Sequence, residues 1–186
     1  MPTTTVKPSF LQRLIGAALL DPATYEDVEG DAAATPQALA VVVLSSMAAA
    51  IGAKGMTGGA ETFAFFAGAS VIALLVWATW ALLTFEIGAR LLPTADTRVD
   101  PGELLRTLGF AATPGFIQVL AAIPELRVPV FTIAAVWTLA ASVIAVRQAL
   151  DYATTGRAIA VCGLGAAISA AIAIVLGLVF GPTVSG

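Results

Sequence analysis

The stretch PQALAVVVLSSMAAAIGA, residues 36–53, contains 18 residues and no charged side chain. An α-helix rises about 1.5 Å per residue, so this stretch would be about 27 Å long, close to the thickness of bilayer hydrocarbon. Thr35 suits the N-cap and Pro36 suits the first helical position, which gives the helix a defined start. The stretch therefore predicts a membrane-spanning α-helix.

Similar segments recur along the rest of the chain. Of its 186 residues, 59% are hydrophobic and 11% are charged, and the mean hydropathy is +0.94. Soluble domains average about 45–50% apolar and about 25% charged residues, so this composition indicates a membrane protein. Five spans are predicted, at approximately 36–53, 62–89, 104–124, 128–150 and 157–180. The predicted fold is all-α, a polytopic membrane helix bundle whose transmembrane domain covers 36–180.

The segment FLQRLIGAALL, residues 10–20, is too short to span a bilayer but is amphipathic. At helical spacing, Gln12 and Arg13 lie opposite an apolar face. That face consists of Phe10, Leu11, Leu14, Ile15, Ala18 and Leu19. The pattern favours a helix at the membrane surface, and a signal peptide is the alternative. Residues 1–9 are predicted to be disordered, and 10–35 to form a cytoplasmic amphipathic helix followed by an acidic linker.

The distribution of basic residues predicts the orientation of the spans, because Lys and Arg concentrate in cytoplasmic loops. Two basic residues, Lys54 and Arg127, fall on one side of the five predicted spans. Seven fall on the other side: Lys7, Arg13, Arg90, Arg98, Arg106, Arg147 and Arg157. The N-terminus is therefore expected in the cytoplasm and the tail 181–186 outside it, in a multi-pass protein of the plasma (inner) membrane.

Composition also argues against several classes of function. The chain has no histidine, which excludes a histidine base or ligand, and its single cysteine, Cys162, excludes an internal disulfide. A formal net charge of −3 argues against a nucleic-acid partner. No nucleophile and base stand at a spacing typical of catalysis, and no phosphate-binding or dinucleotide motif is present. We expect a non-enzymatic protein without cofactor or metal, whose main partner is the lipid bilayer.

Charged residues near the predicted cytoplasmic boundary have two interpretations. They are Glu86, Arg90, Arg106, Arg147 and Asp151. In the simpler interpretation they pair locally or extend toward the interface, as Glu86 and Arg90 could at helical i,i+4 spacing. In the other, they form one cytoplasmic ionic cluster that gates the protein or binds an anionic group such as a lipid headgroup.

The third and fifth predicted spans carry further signals. Pro114 and Gly115 interrupt the third span, and Gln118 follows; a broken helix with a polar residue can line a substrate site in transporters, although kinks absorbed by packing are commoner. In the fifth span small residues recur every four positions. These pairs are Ala166/Ala170, Ala167/Ala171, Ser169/Ala173 and Gly177/Gly181. Such rows permit close helix packing, within the bundle or in a homo-oligomer.

Three stretches together give the chain a family resemblance. DPATYEDVEGD contains Asp21, Pro22, Thr24, Tyr25 and Val28 behind an amphipathic segment. ELLRTLGFAATPG at 103–115 and VWTLAASVIAVRQALDYATTGRAI at 136–159 follow. In this order, with five spans, they resemble the bacterial branch of the Yip family (Ypt/Rab-interacting proteins). The resemblance implies a cytoplasmic N-terminus and a non-cytoplasmic C-terminus.

Eukaryotic Yip proteins bind Rab-type GTPases and act in membrane traffic, but their Asp-Leu-Tyr-Gly-Pro motif is absent from this chain. We expect a non-enzymatic Yip-like integral membrane protein that organises membrane or recruits partners through its cytoplasmic N-terminal segment and loops. Within that segment the docking residues would be the five motif residues from Asp21 to Val28. The alternative is a small transporter, channel or lipid-moving protein that uses the kinked third span and the cytoplasmic ionic cluster.

Overall fold

The computed structural model describes residues 7–54, 60–93 and 100–180, with side chains except at 60, 61, 170 and 172–180. Residues 1–6 of the predicted disordered segment, Arg98 and the tail 181–186 lie outside these ranges. Residues 7–9 differ from the prediction, because Ser9 caps the first helix and Lys7 forms an ion pair with Asp31 at 2.9 Å.

Every regular element in the described ranges is helical, which confirms the all-α class. The α-helices are α1 (Phe10–Ala18), α2 (Pro22–Gly30), α3 (Thr35–Lys54), α4 (Ala60–Phe85), α5 (Pro101–Phe110), α6 (Arg127–Ala149) and α7 (Thr155–Phe180). A π-helix, Glu86–Leu91, continues α4. Short 3-10 helices cover Ala32–Ala34 and Pro124–Leu126, and a longer one covers Thr113–Ala122.

Four helical segments are long and apolar enough to cross a membrane. They run over Ala32–Lys54, Thr62–Leu91, Pro101–Ala122 and Pro124–Ala149, in agreement with the first four predicted spans. The fifth predicted span, 157–180, coincides with α7, but many of its side chains lie outside the described set. A fifth span therefore stays a prediction.

The third apolar segment is not one continuous α-helix. The α-helix α5 ends at Phe110, and the chain continues as the 3-10 helix Thr113–Ala122. Pro114 lies in the first turn of that 3-10 helix, and it has no N–H to donate to an α-helical turn. Gly115 N donates instead to Ala112 O at 2.9 Å. The change of helix type lies in the middle of the third segment, where Pro114 and Gly115 stand.

Small residues let α3 lie directly against this broken segment. A Cβ atom added at Gly52 would lie 2.1 Å from the backbone oxygen of Gln118, and one at Gly109 would lie 2.7 Å from the Ala38 Cβ. Both distances are far shorter than real carbon contacts, so the helices approach to within backbone distance. The third segment therefore packs closely against α3 on both sides of its break.

The prediction of an acidic linker after the first helix is wrong for most of that segment, because residues 22–30 form α2. The sequence Asp-Pro ends α1 and also starts the next helix: the Asp21 carboxylate accepts from Ala23 N at 3.2 Å, and Pro22 occupies the first turn. Asp and Pro are favoured at these two positions. Between the helices Leu20 adopts a left-handed conformation, with φ 62°, and Asp21 N donates to Gly16 O.

The N-terminal helix also differs from its predicted orientation. Arg13, expected on a solvated face, is buried, whereas Leu11, Ile15 and Leu19 form an exposed row. Trp137 Nε1 donates to Ala18 O at 2.8 Å. Because Trp137 is in the middle of α6, the C-terminal end of α1 lies beside the middle of a helix long enough to cross the bilayer.

Candidate functional site

Arg13 holds the N-terminal helices to the bundle through all three of its guanidinium nitrogens. Nε contacts Asp27 Oδ2 at 2.8 Å, Nη2 contacts Asp31 Oδ2 at 2.7 Å, and Nη1 donates to Gln37 Oε1 at 3.0 Å. Only 2% of the Arg13 side chain is exposed. Arg13 lowers the pKa of Asp31 to about 2, with a further contribution from Lys7. This cluster, which we call the Arg13 clamp, joins α1, α2 and α3.

The motif residues expected to dock a partner divide into buried and exposed ones. Tyr25 and Val28 are fully buried, and the Tyr25 hydroxyl donates to Ala17 O at 3.0 Å. Burial raises the pKa of the Tyr25 phenol. Asp21 and Pro22 are exposed, and Thr24 Oγ1 donates to the Asp21 carboxylate at 2.9 Å. Tyr25 and Val28 therefore pack α2 onto the bundle, and only the remaining residues face a possible partner.

The five charged residues of the expected ionic cluster are not joined in one network within the described part of the chain. Glu86 and Arg90 form an exposed i,i+4 ion pair at 2.9 Å within the π-helix. Arg147 donates to Tyr152 O at 3.3 Å and to Ala153 O at 3.5 Å, just beyond the end of α6. Asp151 is exposed and has a left-handed backbone, with φ 50°.

Arg106 connects the expected ionic cluster to the expected docking motif. Its guanidinium donates to the backbone oxygens of Val28 and Glu29, where Nε lies 3.0 Å from Val28 O. These carbonyls end α2, so the cation also interacts favourably with the negative end of that helix. Arg106 is buried and fixes the C-terminal end of α2 against α5.

Glu29 lies where several carboxylates come close together. Its pKa is raised from 4.5 to about 7, mainly by burial and to a smaller extent by the negative charges of Asp151, Glu103 and Glu26, while Arg106 opposes the shift. Arg106 uses its donors on the backbone oxygen of Glu29, not on its carboxylate. Glu29 is therefore an acid that loses its proton near neutral pH at the surface where α2, α5 and the end of α6 meet.

We expect the thermal stability of the protein to fall as the pH rises from about 5 to 8. The folded-state pKa of Glu29 exceeds its ordinary value, so the native state binds this proton more tightly, and its stabilising effect is lost as the pH rises through 7. The Glu29→Gln variant should match the wild type near pH 5 and exceed its stability near pH 8 by about 1 kcal/mol. Melting temperatures in detergent across this pH range measure the effect.

Glu125→Gln provides the matched control, because Glu125 is exposed and lies at the opposite end of the bundle. It should leave the pH dependence of the melting temperature as in the wild type. Equal slopes for the wild type and Glu29→Gln would contradict the assignment to Glu29.

Gln118, the polar residue after the helix break, lines a cavity of about 360 Å³. Pro114 is buried and does not line this cavity. The cavity lies between α3, α4, α6 and the third apolar segment. Its lining includes the polar side chains Ser45, Ser46, Gln118, Thr138 and Ser142 and the indoles Trp77 and Trp80.

Two polar atoms of residues that line this cavity are buried and have no hydrogen-bond partner among the described residues: Trp77 Nε1 and Thr138 Oγ1. The neighbouring hydroxyls are used differently. Ser46 Oγ donates to Val43 O at 2.7 Å, and Ser142 Oγ donates to Thr138 O at 2.8 Å. Buried polar groups in proteins nearly always have a partner, so these two atoms are exceptions that the packing of the bundle leaves unsatisfied.

Sequence reasoning missed the Arg13 clamp and most of the cavity. Asp27 and Asp31 stand four residues apart, close enough along the chain for one arginine to reach both carboxylates. Thr138 and Ser142 likewise stand four apart within an apolar segment. That spacing is the available signal that one face of the fourth span is polar.

Within the described residues, no group of His, Cys, Asp and Glu side chains is arranged to hold a metal ion. Comparison of the chain with protein-family models, with curated proteins and with solved structures gives no match.

Proposed function

We propose that this chain is a non-enzymatic, five-span integral membrane protein of the Yip type, which recruits a partner through its cytoplasmic N-terminal helices. Four apolar helical segments support insertion into a membrane, and α7 would supply the fifth span. Seven of the nine Lys and Arg residues fall on the side of the predicted spans that includes α1, α2 and α5, and this distribution supports a cytoplasmic location of these elements. The protein would lie in the plasma membrane, with its C-terminus on the non-cytoplasmic side.

The exposed apolar row of α1 would lie in the acyl layer of the cytoplasmic leaflet. Leu11, Ile15 and Leu19 are 64%, 52% and 73% exposed, which is costly in water but favourable among lipid chains. The hydrogen bond from Trp137 to Ala18 O places the end of α1 beside the middle of α6. This helix would therefore penetrate below the membrane surface, deeper than the interfacial position expected from the sequence.

The observation that carries the recruiting role is the rigid attachment of α2. The Arg13 clamp holds Asp27 of α2 and Asp31 just after it, Arg106 holds the last carbonyls of α2, and Tyr25 and Val28 are buried beneath it. The outer surface of α2 therefore presents a fixed set of groups, including the exposed residues Asp21, Pro22 and Glu26. A fixed acidic surface suits a basic protein segment, because a pre-organised surface loses little entropy on binding.

Partner capture with a tagged protein tests this role. Glu26→Lys reverses an exposed charge on α2 without touching the Arg13 clamp, so it should reduce recovery of a captured partner by about tenfold at low salt. Glu125→Lys makes the same change on the opposite end of the bundle and should leave recovery unchanged. Equal recovery with both variants would refute recruitment through α2.

A second candidate function, transport or lipid movement, is favoured by the cavity that Gln118 lines beside the broken third segment. Reconstituted liposomes distinguish the two functions. Tracer flux or lipid scrambling above the rate of empty vesicles would favour the second, and rates equal to those of empty vesicles would leave the recruiting role. Homo-oligomerisation through the small residues of α7 stays a prediction.

A further inference from the structure

We propose that a groove between α6 and α7 binds an anionic phospholipid of the cytoplasmic leaflet, with an acyl chain in the groove and the phosphate at Arg147. This inference rests on the membrane insertion of α6 and α7 proposed above, but not on the recruiting role of α2. It is carried by the chemistry of the groove, by its length and by the arginine at one end of it.

The groove is apolar and open along the surface of the bundle. Its volume is about 620 Å³, which is within the range of small-molecule sites. Among the described residues that line it, only Thr155 has an oxygen or nitrogen atom in its side chain. Val136, Leu139 and Ile159 line it and are 66%, 56% and 56% exposed. Such a surface is unfavourable in water and accepts a hydrocarbon chain instead.

The length of the groove matches an acyl chain of one leaflet. Along α7 its lining runs from Thr155 to Ala166, which at about 1.5 Å per residue is about 17 Å. Bilayer hydrocarbon is about 30 Å thick, so one leaflet contributes about 15 Å. A lipid whose head lies beside Thr155 can therefore place an acyl chain lengthwise in the groove.

Arg147 lies at the Thr155 end of this groove. On α6 the lining residues Val143 and Ile144 precede Arg147 by four and three positions, so all three share one face of the helix. Arg147 Nη1 is 3.4 Å from Thr155 Oγ1, the hydroxyl that lines the groove. The apolar groove therefore has a cation at one end, as a site for a lipid head and its chain requires.

The charge of Arg147 has no carboxylate partner among the described residues. Its hydrogen bonds go to neutral oxygens at long distances: Tyr152 O at 3.3 Å, Thr155 Oγ1 at 3.4 Å and Ala153 O at 3.5 Å. A guanidinium has five N–H donors, so these bonds leave one N–H on each of Nη1 and Nη2. A phosphate can accept from both at once.

The side of the membrane determines which lipids are available to Arg147. The distribution of Lys and Arg assigns this end of α6 to the cytoplasmic side, where anionic lipids are present and basic pockets between helices bind their heads. Asp151, the nearest acid in the sequence, does not pair with Arg147; its charge raises the pKa of Glu29 on α2 instead. An anionic head therefore suits this end of the groove better than a head without net charge.

Native mass spectrometry of the purified protein tests the lipid head, because the mass reports bound lipid and the number of subunits together. The probes are phosphatidylglycerol, which is anionic, and phosphatidylcholine with the same acyl chains, which has no net charge. We expect the wild type to bind phosphatidylglycerol about fivefold more tightly. Arg147→Gln should abolish this preference.

Arg157→Gln is the matched control for the head. Arg157 is exposed, stands two positions after Thr155 and therefore lies on the opposite side of α7 from the groove. Its Nη1 is 3.5 Å from Pro93 O. This variant removes the same charge and should keep the preference for phosphatidylglycerol.

Gly163→Leu and Gly156→Leu are the matched variants for the acyl chain. Both glycines are exposed on α7, and a Cβ added at either has no atom within 4 Å, so neither change disturbs the packing. Only Gly163 lines the groove. Gly163→Leu should fill it and weaken binding of both lipids by about tenfold, whereas Gly156→Leu should bind as the wild type does.

Equal affinity of the wild type for the two lipids would overturn the proposal, and so would equal binding by the two glycine variants. A lipid-free dimer that Gly163→Leu dissociates would also overturn it, because a second copy would then cover the groove. These failures would leave membrane insertion intact. A chain that is monomeric and folded without detergent would instead reject the insertion and this site together.

Discussion

The Gly52→Ala variant is expected to destabilise the bundle by about 3 kcal/mol, which is the upper end of the typical cost of overpacking a protein core. The added Cβ would lie 2.1 Å from the backbone oxygen of Gln118 and 3.0 Å from the Ala121 Cβ. Neither atom belongs to a flexible side-chain end, so α3 and the 3-10 helix would have to separate. Separation would also remove the support of the broken third segment. Thermal unfolding in detergent measures the loss.

Gly68→Ala is the matched control for this change. Gly68 lies on α4, is exposed, and has no atom within 4 Å of an added Cβ. The same substitution there should be neutral or slightly stabilising, because alanine favours a helix over glycine by up to about 1 kcal/mol. Similar melting temperatures for both variants would contradict the close approach of α3 to the third segment.

The Arg13→Ala variant is expected to release α1 and α2 from the bundle at a cost of about 3 kcal/mol. Removing one partner of a buried ionic cluster leaves the other charges partly desolvated and uncompensated. Here Asp27 and Asp31 would lose their contacts at 2.8 Å and 2.7 Å, and Gln37 would lose its donor. Hydrogen exchange by mass spectrometry should show faster exchange over residues 10–30, together with a lower melting temperature.

Arg90→Ala gives the comparison for an exposed arginine. Arg90 pairs with Glu86 at 2.9 Å, but both side chains are at least half exposed, and such pairs contribute about 1 kcal/mol or less. Exchange over α1 and α2 should then remain at the wild-type rate. If Arg13→Ala changed neither the melting temperature nor this exchange, the Arg13 clamp would not hold the N-terminal helices.

The spans could be predicted from the sequence because their signal is local. A charge-free stretch of about 18 residues has few structural alternatives, and the first four predicted spans agree with the helices found. The break at Pro114 and Gly115 is also local, because proline removes a backbone donor wherever it stands. Gln118 follows that break and lines the cavity, whereas Pro114 and Gly115 do not.

The N-terminal region could not be predicted in the same way, because its structure depends on distant contacts. Charged residues in the segment after Asp21 suggested a solvated linker, yet two of those carboxylates surround Arg13 from 14 and 18 positions away. A helical period shows that Arg13 lies opposite the apolar row, but not which face meets the bundle. Here Arg13 is buried although its neighbour Gln12 is exposed, and the apolar row of Leu11, Ile15 and Leu19 is exposed.

The candidate site could not be predicted from local sequence patterns either, because it depends on how the helices pack. Residues at one level of a bundle need not face each other. The five charges near one boundary therefore separate into an ion pair, an arginine bound to the end of α2, an arginine near the end of α6, and the exposed Asp151. Conversely, Trp77 and Thr138 lie on different helices and meet at one cavity only after packing. Their lack of partners is a property of the folded bundle.

The most direct test of the central claim, that lipid covers these helices, is cysteine accessibility in a Cys162→Ala background. Single cysteines would replace Glu26 on α2, Glu125 before α6, and Leu75, an apolar residue of α4 that is 63% exposed in the structure. The account predicts that a membrane-impermeant maleimide labels Glu125→Cys in intact cells, Glu26→Cys only after the membrane is opened, and Leu75→Cys only after denaturation. Rapid labelling of Leu75→Cys in the native protein would contradict it, because that face would then be in water.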